Sequence, residues 1–442
     1  MLESERLIRA YPNGFDDLGR LFSRFAKGIF EINSDAYVES GIPFLRIQNL
    51  KNSIIYESNL AYIPEVLHRA EVKTEMLRGD IVLSKTAYPA ASLVTVDICN
   101  ASQDTIATTL SVYGRDNYLP EAIVAYLNCS YGNQLLWRQF QGNVQLHLGL
   151  EDGRKVPIPR LSMQIQKSIK KIFNASMQKK VDATLAYKKA EEVLLKALHI
   201  ANVSLNLQTI NIKSFKDSFV TTGRLDAEYY QPKFEQLYKA LANKNRVFKL
   251  GDCLSFNQRG TQPDYAEEGL PVVNSKHVQR GYVNMGDNRF ATMPDNTNAA
   301  VIKQGDVLIN GTGVGTIGRA APYLHAADAL PDNHVTVLRT NAMSSICLAL
   351  YLNSIAGQYQ VDQHFKGSSG QIELYPTDIA NFWCPELDQS LQQQIDKLAQ
   401  QSFKLKAKSE HLLEAAKRAV EIAIEQDEAA GMAYLAIEGA LA

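Results

Sequence analysis

Self-similarity constrains this chain more than any other feature. The first half aligns with the second at an offset of about 225–232 residues, far longer than a solenoid period. Leu18-Gly19 answers Leu250-Gly251, and Gly41-Ile42-Pro43 answers Gly269-Leu270-Pro271. Arg78-Gly79-Asp80-Ile81-Val82-Leu83 answers Gln304-Gly305-Asp306-Val307-Leu308-Ile309. Tyr126-Leu127-Asn128 answers Tyr351-Leu352-Asn353, Gly132 answers Gly357, and Phe140-Gln141-Gly142 answers Phe365-Lys366-Gly367. Val156-Pro157 then answers Cys384-Pro385. Order and spacing persist throughout, so duplication or fusion is the simplest account. The 442 residues suffice for two or three domains.

Each half has two textures. The first part carries short β-prone runs punctuated by Gly and Pro, such as Ile42–Leu50, Thr105–Tyr113 and His334–Leu338. One short helix is expected over Leu119–Gln139, with its counterpart over Ser344–Phe365. The last part of each half reads as one long helix, from about Met163 to Leu198 and from about Ser390 to Gln426. Steps of four and three give Ile165, Ile169, Ile172, Ser176, Lys179, Ala183, Ala186, Ala190, Val193 and Ala197 in the first. They give Leu391, Ile395, Leu398, Ser402, Leu405, Ser409, Leu412, Ala416, Ala419 and Ala423 in the second. Such seams are coiled-coil signatures, and small residues on them favour close approach. About 36 residues of helix reach about 54 Å, the length of a spacer.

The expected fold class is therefore α+β: two similar α/β domains separated by two long antiparallel coiled-coil helices, with pseudo-twofold symmetry. The expected boundaries are a first domain at 1–160, a spacer helix at 161–200, a connector at 201–245, a second domain at 246–387, a second spacer helix at 388–428 and a C-terminal tail at 429–442. The connector contains Gly223-Arg224-Leu225-Asp226-Ala227-Glu228-Tyr229-Tyr230-Gln231-Pro232, read as the lead into the second domain. Its tyrosine pair is read as packing or a partner surface.

Several chemistries find no support. No apolar run approaches the roughly 20 residues of a membrane span, and Met1-Leu2-Glu3-Ser4-Glu5-Arg6 does not resemble a secretory signal. The expected location is the cytoplasm. Cys99, Cys129, Cys253, Cys347 and Cys384 are scattered and read as reduced, and no metal or cofactor is expected on this chain. Gly313-Val314-Gly315-Thr316-Ile317-Gly318 matches a dinucleotide fingerprint formally, but Pro322 stops a helix where the fingerprint needs one. Glu71-Val72-Lys73 lacks the partner acid of a nuclease site. No catalytic residue is expected. The formal net charge of −1 leaves nucleic-acid binding to the local distribution of charge.

Three loop regions per half are rich in the side chains that read bases and hold phosphates. The first follows the Gly-x-Pro turn, with Arg46, Gln48, Asn49 and Lys51 in one half and Asn274, Lys276, His277, Gln279 and Arg280 in the other. The second follows the Gly-Asp strand, with Ser84, Lys85, Thr86 and Tyr88, then Asn310, Thr312, Thr316 and Arg319. The third follows the short helix, with Arg138, Gln141, Asn143, Gln145 and His147, then Lys366, Ser368, Ser369 and Gln371. A common frame bearing different polar side chains suits two readers of different sequences.

Taken in this order and twice over, these elements resemble the target recognition domains of the specificity (S) subunit of type I restriction–modification systems, over nearly the full length. The resemblance implies a non-catalytic DNA-specificity subunit in phage defence. Each recognition domain would read one half of a bipartite duplex target, with the helices as ruler and docking platform. Two methyltransferase (M) subunits would bind S-adenosylmethionine and methylate adenine. Motor-nuclease (R) subunits would bring the ATP- and Mg-dependent chemistry. One departure stands out: the first domain has Thr86-Ala87-Tyr88-Pro89-Ala90-Ala91 where the second has its glycine-rich loop, so that loop must take another path. The rival readings are a coiled-coil adaptor whose paired domains bind proteins, and a nucleotide enzyme built on Gly313–Gly318.

Overall fold

The computed structural model describes residues 3–29, 32–50, 53–57, 60–200, 210–294, 299–367 and 372–441. The chain is mixed α+β, and its contacts divide it into two units. One is Met1–Val181 with Leu405–Ala442, and the other is Asp182–Lys404.

In the first unit an antiparallel sheet orders its strands Phe22–Lys27, Thr105–Leu110, Ile81–Ser84 and Ala91–Leu93. Ile81–Ser84 is buried along its whole length, which explains its continuous apolar run. A second, mixed sheet pairs Ile42–Leu45 in parallel with Ile98–Ala101, flanked by Ala61–Ile63 and Met76–Leu77. A ribbon of Phe15–Asp17 with Pro157–Pro159 closes the domain.

The second unit repeats this plan from its own residues. Its antiparallel sheet orders Leu254–Arg259, Val335–Thr340, Val307–Asn310 and Ala320–Pro322. Leu270–Val273 pairs in parallel with Leu330–Pro331, and Val247–Lys249 pairs with Trp383–Pro385. The edge strands even share one irregularity, a register shift at Phe22/Arg24 and at Leu254/Phe256.

The repeated motifs have structural work. Gly79 and Gly305 both adopt φ 92°, the left-handed turn that glycine favours. The Asp80 carboxylate then accepts from Leu77 N at 3.0 Å, and the Asp306 carboxylate from Lys303 N at 2.8 Å. In the Tyr-Leu-Asn motif, the Tyr126 hydroxyl donates to the Pro157 carbonyl and Tyr351 to the Trp383 carbonyl. The asparagine amide clamps an edge strand: Asn128 exchanges two hydrogen bonds with Ala91 (2.7 and 3.0 Å), and Asn353 exchanges two with Ala320 (2.7 and 3.0 Å). Backbone groups left open at a sheet edge are thereby satisfied.

The structure corrects the expected short helix in both halves. Pro120–Asn128 and Ser130–Trp137 are separate helices, as are Ser345–Asn353 and Ile355–His364. The chain is extended between them, with ψ 167° at Cys129 and 169° at Ser354. Gly132 and Gly357 make the sharp turn possible, since a Cβ there would lie 2.1 Å from the Tyr126 carbonyl oxygen and 2.2 Å from that of Leu352.

The long helices span Met163–Ala197 and Gln389–Glu425. His199 at φ 58° ends the first. In the first unit Ile165, Ile169, Ile172 and Phe173 pack with Leu412, Ala416, Ala419, Val420 and Ala423. The Ser176 hydroxyl donates to the Ser409 carbonyl at 2.9 Å. In the second unit Ala190 and Leu194 pack with Ile395, and the Ser402 hydroxyl donates to the Ala183 carbonyl at 2.6 Å. Ser176 with Ser409 and Ser402 with Ala183 are repeat counterparts, as antiparallel helices of equivalent sequence require. Each seam isoleucine fully buried contributes about 1.5–3 kcal/mol.

Two segments differ from expectation. Residues Glu428–Leu441 form a helix rather than a tail. It starts on an Asp427 cap (Ala430 N to Oδ1, 2.8 Å) and buries Leu435 in the first unit's core. Within the expected connector, Pro232–Lys244 is a helix that buries Phe234, Leu237 and Leu241 and belongs to the second unit.

Candidate nucleic-acid interface

In each unit the three loop regions, far apart in sequence, meet at one place. In the first unit the Tyr88 hydroxyl donates to the Ile47 carbonyl at 3.3 Å, joining the first region to the second. Thr86 bridges His147, Leu148 N donates to the Lys85 carbonyl at 2.7 Å, and Ala87 N to that of Leu146 at 3.2 Å. These bonds join the second region to the third. In the second unit Asn310 Nδ2 donates to the Ser275 carbonyl at 3.0 Å. Thr312 bridges Glu373, and Leu374 N donates to the Gly311 carbonyl at 2.8 Å.

The second region differs between units as the sequence implied. In the first it is the short loop 85–90, with Ala87 at φ 65°. In the second it is the loop 311–319, with Gly313, Gly315 and Gly318 at φ 92°, 77° and 77°. That loop connects two antiparallel strands, Val307–Asn310 and Ala320–Pro322. A dinucleotide site needs a helix there, so this geometry does not build one.

Five of the expected contact residues, Asn49, Ser84, Thr86, His277 and Asn310, have buried side chains. Asn49 accepts from Arg46 N and donates to the Tyr56 carbonyl. Ser84 donates to the Tyr88 carbonyl and accepts from Ala90 N. Thr86 is buried beneath its bridge to His147. Asn310 ties two loops, with its Oδ1 buried and without a hydrogen-bond partner among the described residues. The His277 ring accepts from Asn274 N at Nδ1, which leaves Nε2 to donate to Asp287 at 3.1 Å. Burial, then nearby Lys276, lowers its pKa against the pull of Asp287.

The rest lie toward the surface. Gln48, Gln141, Asn143, Gln145, Lys276, Arg280 and Lys366 are exposed, while Arg46, Lys85, Tyr88, His147, Asn274, Gln279, Thr312, Thr316 and Arg319 are half-buried. Burial, then the neighbouring Lys27, lowers the Lys85 pKa, with Asp104 opposing. Lys276 pairs with Asp287 and Lys366 with Asp378, at 3.0 and 2.8 Å. Arg280 donates to the Asn353 carbonyl and to Gln358, both at 3.3 Å. Arg138 stands apart from these loop contacts, paired at 2.5 Å with Glu5 of the N-terminal helix. Lys51, Ser368, Ser369 and Gln371 lie outside the described residues.

Residues absent from the sequence expectation border the same clusters. Lys27 and Arg259 end equivalent strands. Arg259 donates to the Asn333 carbonyl and pairs with Glu373 at 3.4 Å, and His334 Nδ1 lies 2.9 Å from the Thr312 hydroxyl. The signal was present: Lys27-Gly28 answers Arg259-Gly260. Each glycine packs where a Cβ would lie 2.1 Å from the Ser102 carbonyl oxygen or 2.3 Å from that of Asp332. No group of His, Cys, Asp or Glu suited to a metal occurs among the described residues.

No helix is long and apolar enough to cross a membrane among the described residues. No family model matches the chain, and no curated protein does. Among solved structures, the chain is similar to the S subunit of a type I restriction–modification system from M. genitalium at 12% identity, covering 98% of this chain and 99% of that one, with a TM-score of 0.38. It is similar to the HsdS subunit from Thermoanaerobacter tengcongensis at 14% identity, covering 94% and 97%, with a TM-score of 0.31. A chain from a study of complex assembly and conformational transition in the type I R–M system matches at 15% identity, covering 97% and 98%, with a TM-score of 0.32.

Proposed function

We propose that the chain is the DNA sequence-specificity subunit of a cytoplasmic type I restriction–modification complex, without a catalytic centre of its own. Each unit's loop cluster reads one half of a bipartite duplex target. The long helices dock two methyltransferase subunits, which supply adenine methylation, and motor-nuclease subunits join to restrict DNA. The observation that carries this reading is the repeat in three dimensions. Two sheets with one strand order converge the same three loops, yet offer Lys27, Gln48 and His147 in one unit and Arg259, Arg280 and Thr312 in the other. Matching scaffolds with unlike polar tips suit two different half-sites. Phosphate contacts would position each unit, and forked side chains would select bases.

The test is co-expression with a methyltransferase subunit and genome-wide mapping of methylated adenine. A split motif that changes in one half with Gln48→Ala and in the other half with Arg280→Ala is the expected result. Each lost base contact should lower discrimination at one base pair by about 1–3 kcal/mol. Methylation that ignores both substitutions would refute these contacts, and absence of any split motif would refute the function. The complex should also lose affinity steeply as salt rises.

A further inference from the structure

Residues 223–230, which lead into the second unit, lie outside the three loop regions. In the structure they lie against the stem of the second unit's third loop. The Arg224 guanidinium donates to two consecutive carbonyls there, His364 at 3.3 Å and Phe365 at 3.5 Å. Asp226 grips the same guanidinium from the side, with Nε at 2.8 Å from Oδ1 and Nη2 on Oδ2. The Tyr229 ring lies 4.5 Å from the guanidinium carbon and 5.5 Å from the His364 ring, edge to face. Gln363 completes the contact by donating to the Tyr229 carbonyl at 3.3 Å.

These contacts fall at one position. Helix Ile355–His364 ends there and the Lys366 stem begins. Beyond it Lys366 N donates to the Glu373 carbonyl and Glu373 N donates back to the Lys366 carbonyl, both at 2.8 Å. Lys366 Nζ reaches Asp378, whose other oxygen accepts from Tyr375 N. A planar guanidinium held by a carboxylate is pre-organised to span two carbonyls; a lysine ammonium is not. Carbonyls at a helix C-terminus are the groups that helix geometry leaves unpaired.

We propose that Arg224, held by Asp226 and Tyr229, is a positioning residue for the third recognition loop of the second unit. It fixes the direction in which the Phe365–Lys366 stem leaves the helix, and so the half-target read by that unit. This rests on the proposed DNA-reading function for its second half only. The stems of both third loops pair antiparallel, Phe140 with Leu148 and Gln141 with His147 in the first unit and Lys366 with Glu373 in the second, and the Arg224 contact is added in the second.

The test uses the full chain and its methyltransferase complex, with Arg224→Gln and Arg224→Lys. Amide hydrogen exchange at Phe365 and Lys366 should accelerate about tenfold in the glutamine variant, with the first unit's amides unchanged. The lysine variant should fall between wild type and glutamine. In adenine-methylation mapping, the glutamine variant should blur the half-motif assigned to the second unit and leave the other half sharp. Unchanged exchange at 365–366 would overturn the brace. Faster exchange with both half-motifs intact would overturn its role in recognition, and equal loss in both halves would show a general stability effect instead. If wild type yields no split motif, the DNA-reading function falls while the exchange measurement still decides the brace.

Discussion

The loop clusters of the two units rest on matching scaffolds but are braced by different means. In the first, the loop 85–90 turns at Ala87 and leans on the hairpin of Phe140–Gln141 with His147–Leu148. In the second, the loop 311–319 turns on glycines, and Gly318 packs so tightly that a Cβ would lie 2.7 Å from Val361. The scaffold is constant where backbone groups must be satisfied, at the Asn128 and Asn353 clamps and the Gly-Asp turns. It diverges where side chains face outward. Such a division lets readout change without disturbing the core.

The ribbons differ more sharply. Asp16 in the first unit, paired opposite Ile158, is buried and accepts from Arg160 at 2.8 and 2.9 Å, with Tyr113 and Tyr118 adding 2.7 and 3.0 Å. At the same place the second unit pairs Phe248 with Cys384. Burial resists ionisation of Asp16, but Arg160 and the two tyrosine hydroxyls outweigh it and lower its pKa. Its stabilisation is therefore present above the ordinary aspartate pKa of about 3.9 and lost as pH falls below it. Asp16→Asn should destabilise the first unit by about 3 kcal/mol at neutral pH. Trp137 and Trp383 place one fluorescent reporter in each unit. Acid unfolding should therefore move the Trp137 signal before that of Trp383, and coincident transitions would erase the contrast.

The two clamps give the next test. Asn353 is nearly buried and Ala320 fully so, whereas Asn128 is half-buried. Asn353→Ala should cost about 2–3 kcal/mol in denaturant unfolding followed at Trp383, and Asn128→Ala about 1–2 kcal/mol at Trp137. Equal losses would mean that exposure does not set their strength.

The smallest effects come from the loops, with opposite signs. Gly318→Ala meets both a φ of 77° and Val361, and should destabilise by about 1–2 kcal/mol. Ala87→Gly relieves a residue at φ 65° and should stabilise by about 0.5–1 kcal/mol. Melting temperatures of the two variants decide whether the loops store strain as their dihedral angles indicate.

Much of the scaffold could be read from the sequence because it is local or repeated. Heptad spacing located both long helices within about a residue of their observed ends, since a helical face follows from residue spacing alone. Gly79 and Gly305 announced their turns, and Pro322 excluded the helix that a dinucleotide fingerprint needs. The site was readable only as loops. Nothing local in Asn49, Ser84, Thr86, His277 or Asn310 shows that burial has claimed them, because an amide or hydroxyl suits a base edge and a backbone carbonyl equally well. Arg224 was visible as part of a motif, but its target, the carbonyls of His364 and Phe365, lies about 140 residues onward.

What the amino-acid order determined by itself was the duplication, the periodic helices and the turns, all set by spacing and by the φ preferences of single residues. Which polar side chains point outward, which ones tie loops together, and how each third loop is braced were decided only by tertiary packing. Those outcomes depend on whether a distant backbone group arrives within hydrogen-bonding reach, and no local pattern encodes that distance.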